Sequence, residues 1–136
     1  MKKYLIIVIL GMLLPVALRA QQRPPEDPEK AAQELYENIQ IQVEKFIELY
    51  KLDDVQAFYL DSIFVYNYTH MQDELNAMSK AKVSNTDLYI SVQDAWEEKN
   101  YQAVCAILDD NQRAKYLKQG AARDKKARDK RMGKTK

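Results

Sequence analysis

The chain has 136 residues, 46% of them hydrophobic and 30% charged, with a formal net charge of +1 and one cysteine. That is room for one small domain and not for two, and a lone cysteine excludes an internal disulfide. Three glycines in the whole chain exclude a β-sandwich or barrel built on frequent tight turns; the expected fold class is all-α.

Residues 1–20 have the layout of a cleaved secretory signal. Lys2 and Lys3 form a basic start, an apolar run follows from Tyr4 to Leu18, and Ala20 offers a small residue at the cleavage point. The alternative is an uncleaved membrane anchor, for which the apolar run is short. No cysteine stands near the end of the signal to carry a lipid. Without residues 1–20 the chain has 116 residues and a net charge of −2, divided unequally. Residues 21–112 carry −11 and residues 113–136 carry +9, an asymmetry that points to a partner or to self-association.

Residues 21–26, with Pro24 and Pro25, read as a disordered lead-in to a helical domain over 27–120. Asp27 and Pro28 suit a helix start. Leu35, Tyr36, Ile39, Val43, Phe46, Ile47 and Tyr50 then recur at steps of three and four, one apolar stripe on a long helix. A second helix runs through Phe58, Tyr59, Leu60, Ile63, Phe64, Val65, Tyr66 and Tyr68. Those residues wrap more than half its circumference, so one side packs within the monomer and the rest needs a partner or ligand. A break falls near 83–87, and a third helical segment carries Leu88, Val92, Trp96, Val104 and Ile107, with Asn100 a candidate interruption. Cys105, inside an apolar run, reads as a buried small hydrophobe. The fourth helix is expected to fray after Leu117 into a basic tail, residues 121–136, read as a solvated helix end or as a contact for an anionic surface or acidic partner. A further arrangement lays each basic end across the acidic helices of a second copy.

One pattern is written twice. Leu52-Asp53-Asp54-Val55-Gln56 recurs 56 positions later as Leu108-Asp109-Asp110-Asn111-Gln112. An Asp at a helix N-cap accepts a bond from one of the first free N–H groups, and a Gln three residues on returns a bond to the cap's own N–H. Leu52 and Leu108 can close the first turn as staples, and Asp54 and Asp110 place negative charge at the positive end of the helix dipole. The repeat therefore reads as two helix starts, geometry and not catalysis.

These two motifs resemble the Leu-Thr-x-x-Gln pair of the Spy/CpxP family, on Leu52, Asp53 and Gln56 and on Leu108, Asp109, Gln112 and Arg113. Both copies have Asp where the family has Thr, and both are good N-caps. The layout of signal, long first helix, motif, helices, second motif and basic end is similar as well. The resemblance implies a four-helix assembly of helical hairpins forming a cradle-shaped antiparallel homodimer in the periplasm. It further implies chaperone or envelope-stress activity on unfolded clients without ATP.

Little else speaks for chemistry. His70, the only histidine, could join Asp73, Glu74 or Cys105 in a metal site, as in a metal-responsive sensor or resistance protein, but these are few ligands for zinc. Met71 and Met78 share a helix face and read as core. No glycine-rich phosphate loop is present. The chain is read as a non-enzyme without cofactor, and its tail lacks the interleaved aromatic residues that would suit nucleic acid. A structural secreted helical protein is the plainest alternative. Protein recovered from the envelope fraction should have the intact mass of a chain beginning near Gln21; a mass that still contains residues 1–20 would overturn the signal assignment.

Overall fold

The computed structural model describes residues 27–133, so the signal and the lead-in lie outside the described residues. The chain divides into two units, 1–33 and 34–136. Of the first, the described part is the opening of helix α1, Pro28–Tyr50. Asp27 caps it, its Oδ1 accepting from the Glu29 N–H at 3.1 Å.

The second unit is all-helical among the described residues: the rest of α1, then α2 (Asp54–Lys80), α3 (Thr86–Ile107), α4 (Asp110–Tyr116), a wide π-type turn (Leu117–Ala121) and α5 (Ala122–Arg131). Two lysines make the sharp reversals. Lys51 (φ 54°) ends α1 and Lys82 (φ 57°) ends α2, both in the left-handed region that usually takes glycine. At each, the following N–H reaches back into the last turn, Leu52 to the Ile47 carbonyl and Val83 to Met78, both at 3.1 Å. Asn85 then caps α3 by accepting from the Asp87 N–H at 3.0 Å.

α2 and α3 run antiparallel and make the most extensive pairing. Leu60, Phe64, Tyr68, Leu75, Val104 and Leu108 are buried between the helices, and Ile39, Val43 and Tyr50 of α1 complete the core. An aromatic cluster ties α1, α2 and α4 together: the Phe46 ring lies 4.4 Å from Tyr50, 5.9 Å from Phe64 and 5.6 Å from Tyr116, centroid to centroid. Such tilted and edge-on contacts add to the burial of the rings themselves.

Two expectations change. Asn100 does not interrupt α3, which runs through it without a break. Its side chain is buried, and its Oδ1 accepts from Asn67 Nδ2 at 2.7 Å, so a tertiary bond replaces the solvent that asparagine usually seeks. The basic end is also not a solvated tail over 122–131. After the kink at Gly120, α5 lies against α3 of the same chain. Arg128 is 7% exposed and pairs with Glu98 at 3.4 Å, Lys125 reaches Glu98 at 3.0 Å, and Arg131 forks onto Asp94 with two bonds of 2.7 Å. The opposite charges of the two parts of the chain thus meet within one molecule.

Gly120 has φ 129° and ψ −17°, a conformation that L side chains rarely adopt, and it makes the turn that brings α5 back. Gly120→Ala should therefore lower stability by about 1 kcal/mol or more. Urea unfolding monitored by circular dichroism measures this; an unchanged midpoint would show that the turn needs no glycine.

Candidate functional site: the paired capping motifs and the uncovered face of α2

Both Leu-Asp-Asp-x-Gln copies start helices, and they do so with the same geometry. Asp53 (φ −77°, ψ 173°) accepts from the Gln56 N–H at 2.8 Å, and Gln56 Oε1 accepts from the Asp53 N–H at 3.1 Å. Asp109 (φ −70°, ψ 174°) accepts from the Gln112 N–H at 2.8 Å, and Gln112 Oε1 from the Asp109 N–H at 3.0 Å. Each glutamine oxygen is committed to its own cap, which fixes the amide's orientation and turns the nitrogen outward.

Those nitrogens bring the two motifs together. Gln56 Nε2 donates to Gln112 Oε1 at 2.7 Å and to the Ile107 carbonyl at 2.9 Å. Gln112 Nε2 donates to Gln56 Oε1 at 3.1 Å and to the Tyr50 and Lys51 carbonyls at 3.1 and 3.3 Å. The carbonyls lie at the C-terminal ends of α3 and α1, where helices have acceptors to spare. Each glutamine thus opens one helix, bonds the opposite glutamine and closes the helix before the other motif. The arrangement is a clasp with approximate two-fold symmetry.

Arg113 and Lys115 extend the clasp. Arg113 donates to the Cys105 and Leu108 carbonyls, both at 2.9 Å, and pairs with Asp110 at 3.1 Å. Lys115 Nζ donates to the Leu49 carbonyl at 2.6 Å. Leu108 is buried under the second copy while Leu52 is half-buried. Burial pushes the Tyr50 hydroxyl up to about 12, so it stays neutral beside the clasp at physiological pH. The sequence reading found the caps but neither the bonding of the copies to each other nor the role of Lys115. The one available signal was that each copy follows directly on the end of a helix.

Further along α3, acids sit in contrasting surroundings. Burial pushes Glu97 up, opposed by the Arg128 guanidinium, and burial together with the Glu97 charge pushes Tyr68 well up. Burial also acts upward on Glu98, but bonds from Gln102 and Lys125 outweigh it and hold that carboxyl below its ordinary range.

On its other side α2 leaves large side chains uncovered. Val55, Phe58, Tyr59 and Tyr66 are exposed, Phe58 to 68%. Tyr59, Ser62, Ile63, Tyr66 and Asn67 line a shallow open cleft of about 500 Å³, closed on the α3 side by Lys99 and Ala103. His70 extends this face: its ring stacks on Tyr66 at 4.0 Å, and its Nδ1 donates to the Tyr66 carbonyl at 2.7 Å. Trp96 lies 6.0 Å from His70, with Lys99 Nζ 3.8 Å above the indole and Glu74 accepting from its Nε1 at 2.8 Å. The face is aromatic with charge at its margin. Among the described residues no three metal-capable side chains gather, whether at His70 or elsewhere, and no helix is long and apolar enough to cross a membrane.

Comparison with protein-family models, with curated proteins and with solved structures finds no match for this chain.

The clasp predicts energetic coupling. Gln56→Ala and Gln112→Ala should each destabilise the fold by about 1–2 kcal/mol, since each removes a cap bond and leaves half-buried carbonyl and amide partners unmet. The double variant should lose less than their sum by about 0.5 kcal/mol or more. A thermodynamic cycle from urea unfolding decides it; strict additivity would mean that the two amides act separately.

Proposed function

We propose that this chain is a secreted, periplasmic, ATP-independent chaperone or envelope-stress adapter of the Spy/CpxP kind, which holds unfolded or partly folded proteins. The observation that carries the reading is the uncovered aromatic face of α2, with Val55, Phe58, Tyr59 and Tyr66 exposed beside Lys99. Contiguous exposed apolar surface usually marks a contact site. Rings edged by charge can hold many chains loosely, because apolar contact needs no fixed sequence and the charged margin tolerates polar ones.

The same reading takes the protein as an antiparallel homodimer. With Lys125, Arg128 and Arg131 occupied by acids of their own chain, apolar contact is what remains to hold two copies, and salt should matter little to their affinity. The outward cations of α5, Arg123, Lys126 and Lys130, are the ones that could face an anionic envelope surface.

The test is light scattering from a chemically denatured model client diluted into buffer with the purified chain and no nucleotide. The chain should suppress scattering at near-stoichiometric amounts. Phe58→Ser/Tyr59→Ser/Tyr66→Ser, which alters only exposed positions, should lose most of that suppression while keeping its helical circular dichroism. Suppression that is absent, or undiminished in the triple variant, would refute the assignment.

A further inference from the structure

α5 is attached to the rest of the molecule in an unusual way. Between Ala122 and Arg131 its one buried residue is Arg128, and its two alanines, Ala122 and Ala127, both face solvent. No apolar side chain of α5 is buried on α3. What holds it is charge: Lys125 and Arg128 on Glu98, and Arg131 on Asp94. Behind these pairs the Tyr101 ring lies 5.8 Å from Lys125 Nζ and 5.5 Å from the Arg128 guanidinium carbon, within range of cation–π attraction.

The two surfaces match by spacing. Asp94, Glu98 and Tyr101 stand at steps of four and three on one face of α3, and Lys125, Arg128 and Arg131 at steps of three on α5. Higher numbers on α5 meet lower numbers on α3, so the helices run antiparallel. The fit is incomplete: Arg128 Nε and Asp124 Oδ2 are buried without a hydrogen-bond partner. A buried pair left partly unsatisfied recovers little of what its desolvation costs. α5 also hangs from a glycine turn, Gly120, which can reorient without strain in the rest of the helix.

We propose that α5 is an exchangeable occupant of an acidic, tyrosine-backed groove on α3, and that a basic helical segment of another protein can take its place. The groove selects cations three residues apart on one helix face, with arginine favoured at the Asp94 end because the fork there is bidentate. A competing segment must overcome an intramolecular rival that is always present at high local concentration. The groove is thus kept closed to weak cations and opens to a segment that satisfies it better. This site is distinct from the aromatic face of α2 and does not depend on the client-binding reading.

The probe is a fluorescein-labelled peptide with the sequence of residues 121–132, titrated against the full chain and followed by anisotropy. Wild type should bind it weakly, because α5 holds the groove. The full chain carrying Arg128→Ala/Arg131→Ala, in which α5 is released, should bind at least about tenfold tighter, the gain expected when an occluded site is freed. Adding Asp94→Asn/Glu98→Gln to that chain should abolish binding, as should alanines at the three cation positions of the peptide. Amide exchange on wild type guards against a variant that fails to fold: raised salt should speed exchange in 122–131 while α2 and α3 keep their protection. Two results would overturn the proposal: α5 protection indifferent to salt, or a folded Arg128→Ala/Arg131→Ala chain that binds the peptide no better than wild type. The chain carrying Asp94→Asn/Glu98→Gln alone, mixed with phosphatidylglycerol vesicles, separates the second of these: sedimentation with them, where the released chain binds no peptide, makes α5 itself the recognition element.

Discussion

The reciprocal bond between Gln56 and Gln112 is the constraint on which the rest of the unit depends. At that point two helices begin and two end, so free N–H groups and free carbonyls crowd together with opposite partial charges. A side chain that serves there must accept from a cap N–H and donate to a carbonyl at once. Glutamine does both with one planar group. Glutamate at either position could accept but not donate, and asparagine would be one methylene short of its partner. Aspartate at the two caps adds negative charge where the N-terminal ends of α2 and α4 are positive, which a threonine cap would not.

The all-helical fold and the two helix starts were legible in the residues, because both rest on local rules. Scarce glycine, apolar steps of three and four, and an Asp with a Gln three residues on are each settled within a turn or two of chain. What could not be read depends on distance. That Gln56 meets Gln112 requires α1 and α3 to end at the same place in space, which no local pattern states. Asn100 looked like a break because its own preference is poor for a helix interior; a bond from Asn67, 33 residues away, reverses the balance. The charge division was plain, yet composition does not say whether the basic end meets acids of its own chain or of another. The turn at Gly120 decides it by returning α5 to Asp94 and Glu98.

Two kinds of adhesion therefore coexist. α1 to α4 are joined by buried rings, leucines and the clasp, contacts that salt scarcely touches. α5 is joined by ion pairs on the flank of α3, a contact that competing charge weakens and that salt reaches at its part-exposed members, Lys125 and Arg131. A molecule built this way can release one helix while its frame stays folded, since the core contains no side chain of α5 other than Arg128.

The clasp also decides which residues α2 shows to solvent. Gln56 points into the unit, and the positions that follow it inward are Leu60, Phe64, Tyr68 and Leu75. Successive residues are turned by about 100° around a helix, so fixing Gln56 fixes the phase of the whole of α2. Val55, Phe58, Tyr59 and Tyr66 then have no choice but to face outward. A helix free to rotate by one residue would bury Tyr59 in place of Leu60, which is fully buried here, and would turn Tyr66 toward the core with it. Large aromatic side chains on a free helix tend to do so, because burial of their area is strongly favourable. The clasp prevents it by anchoring α2 at its first turn, and in the proposed chaperone that is how a capping motif without chemistry of its own keeps a client-binding face exposed.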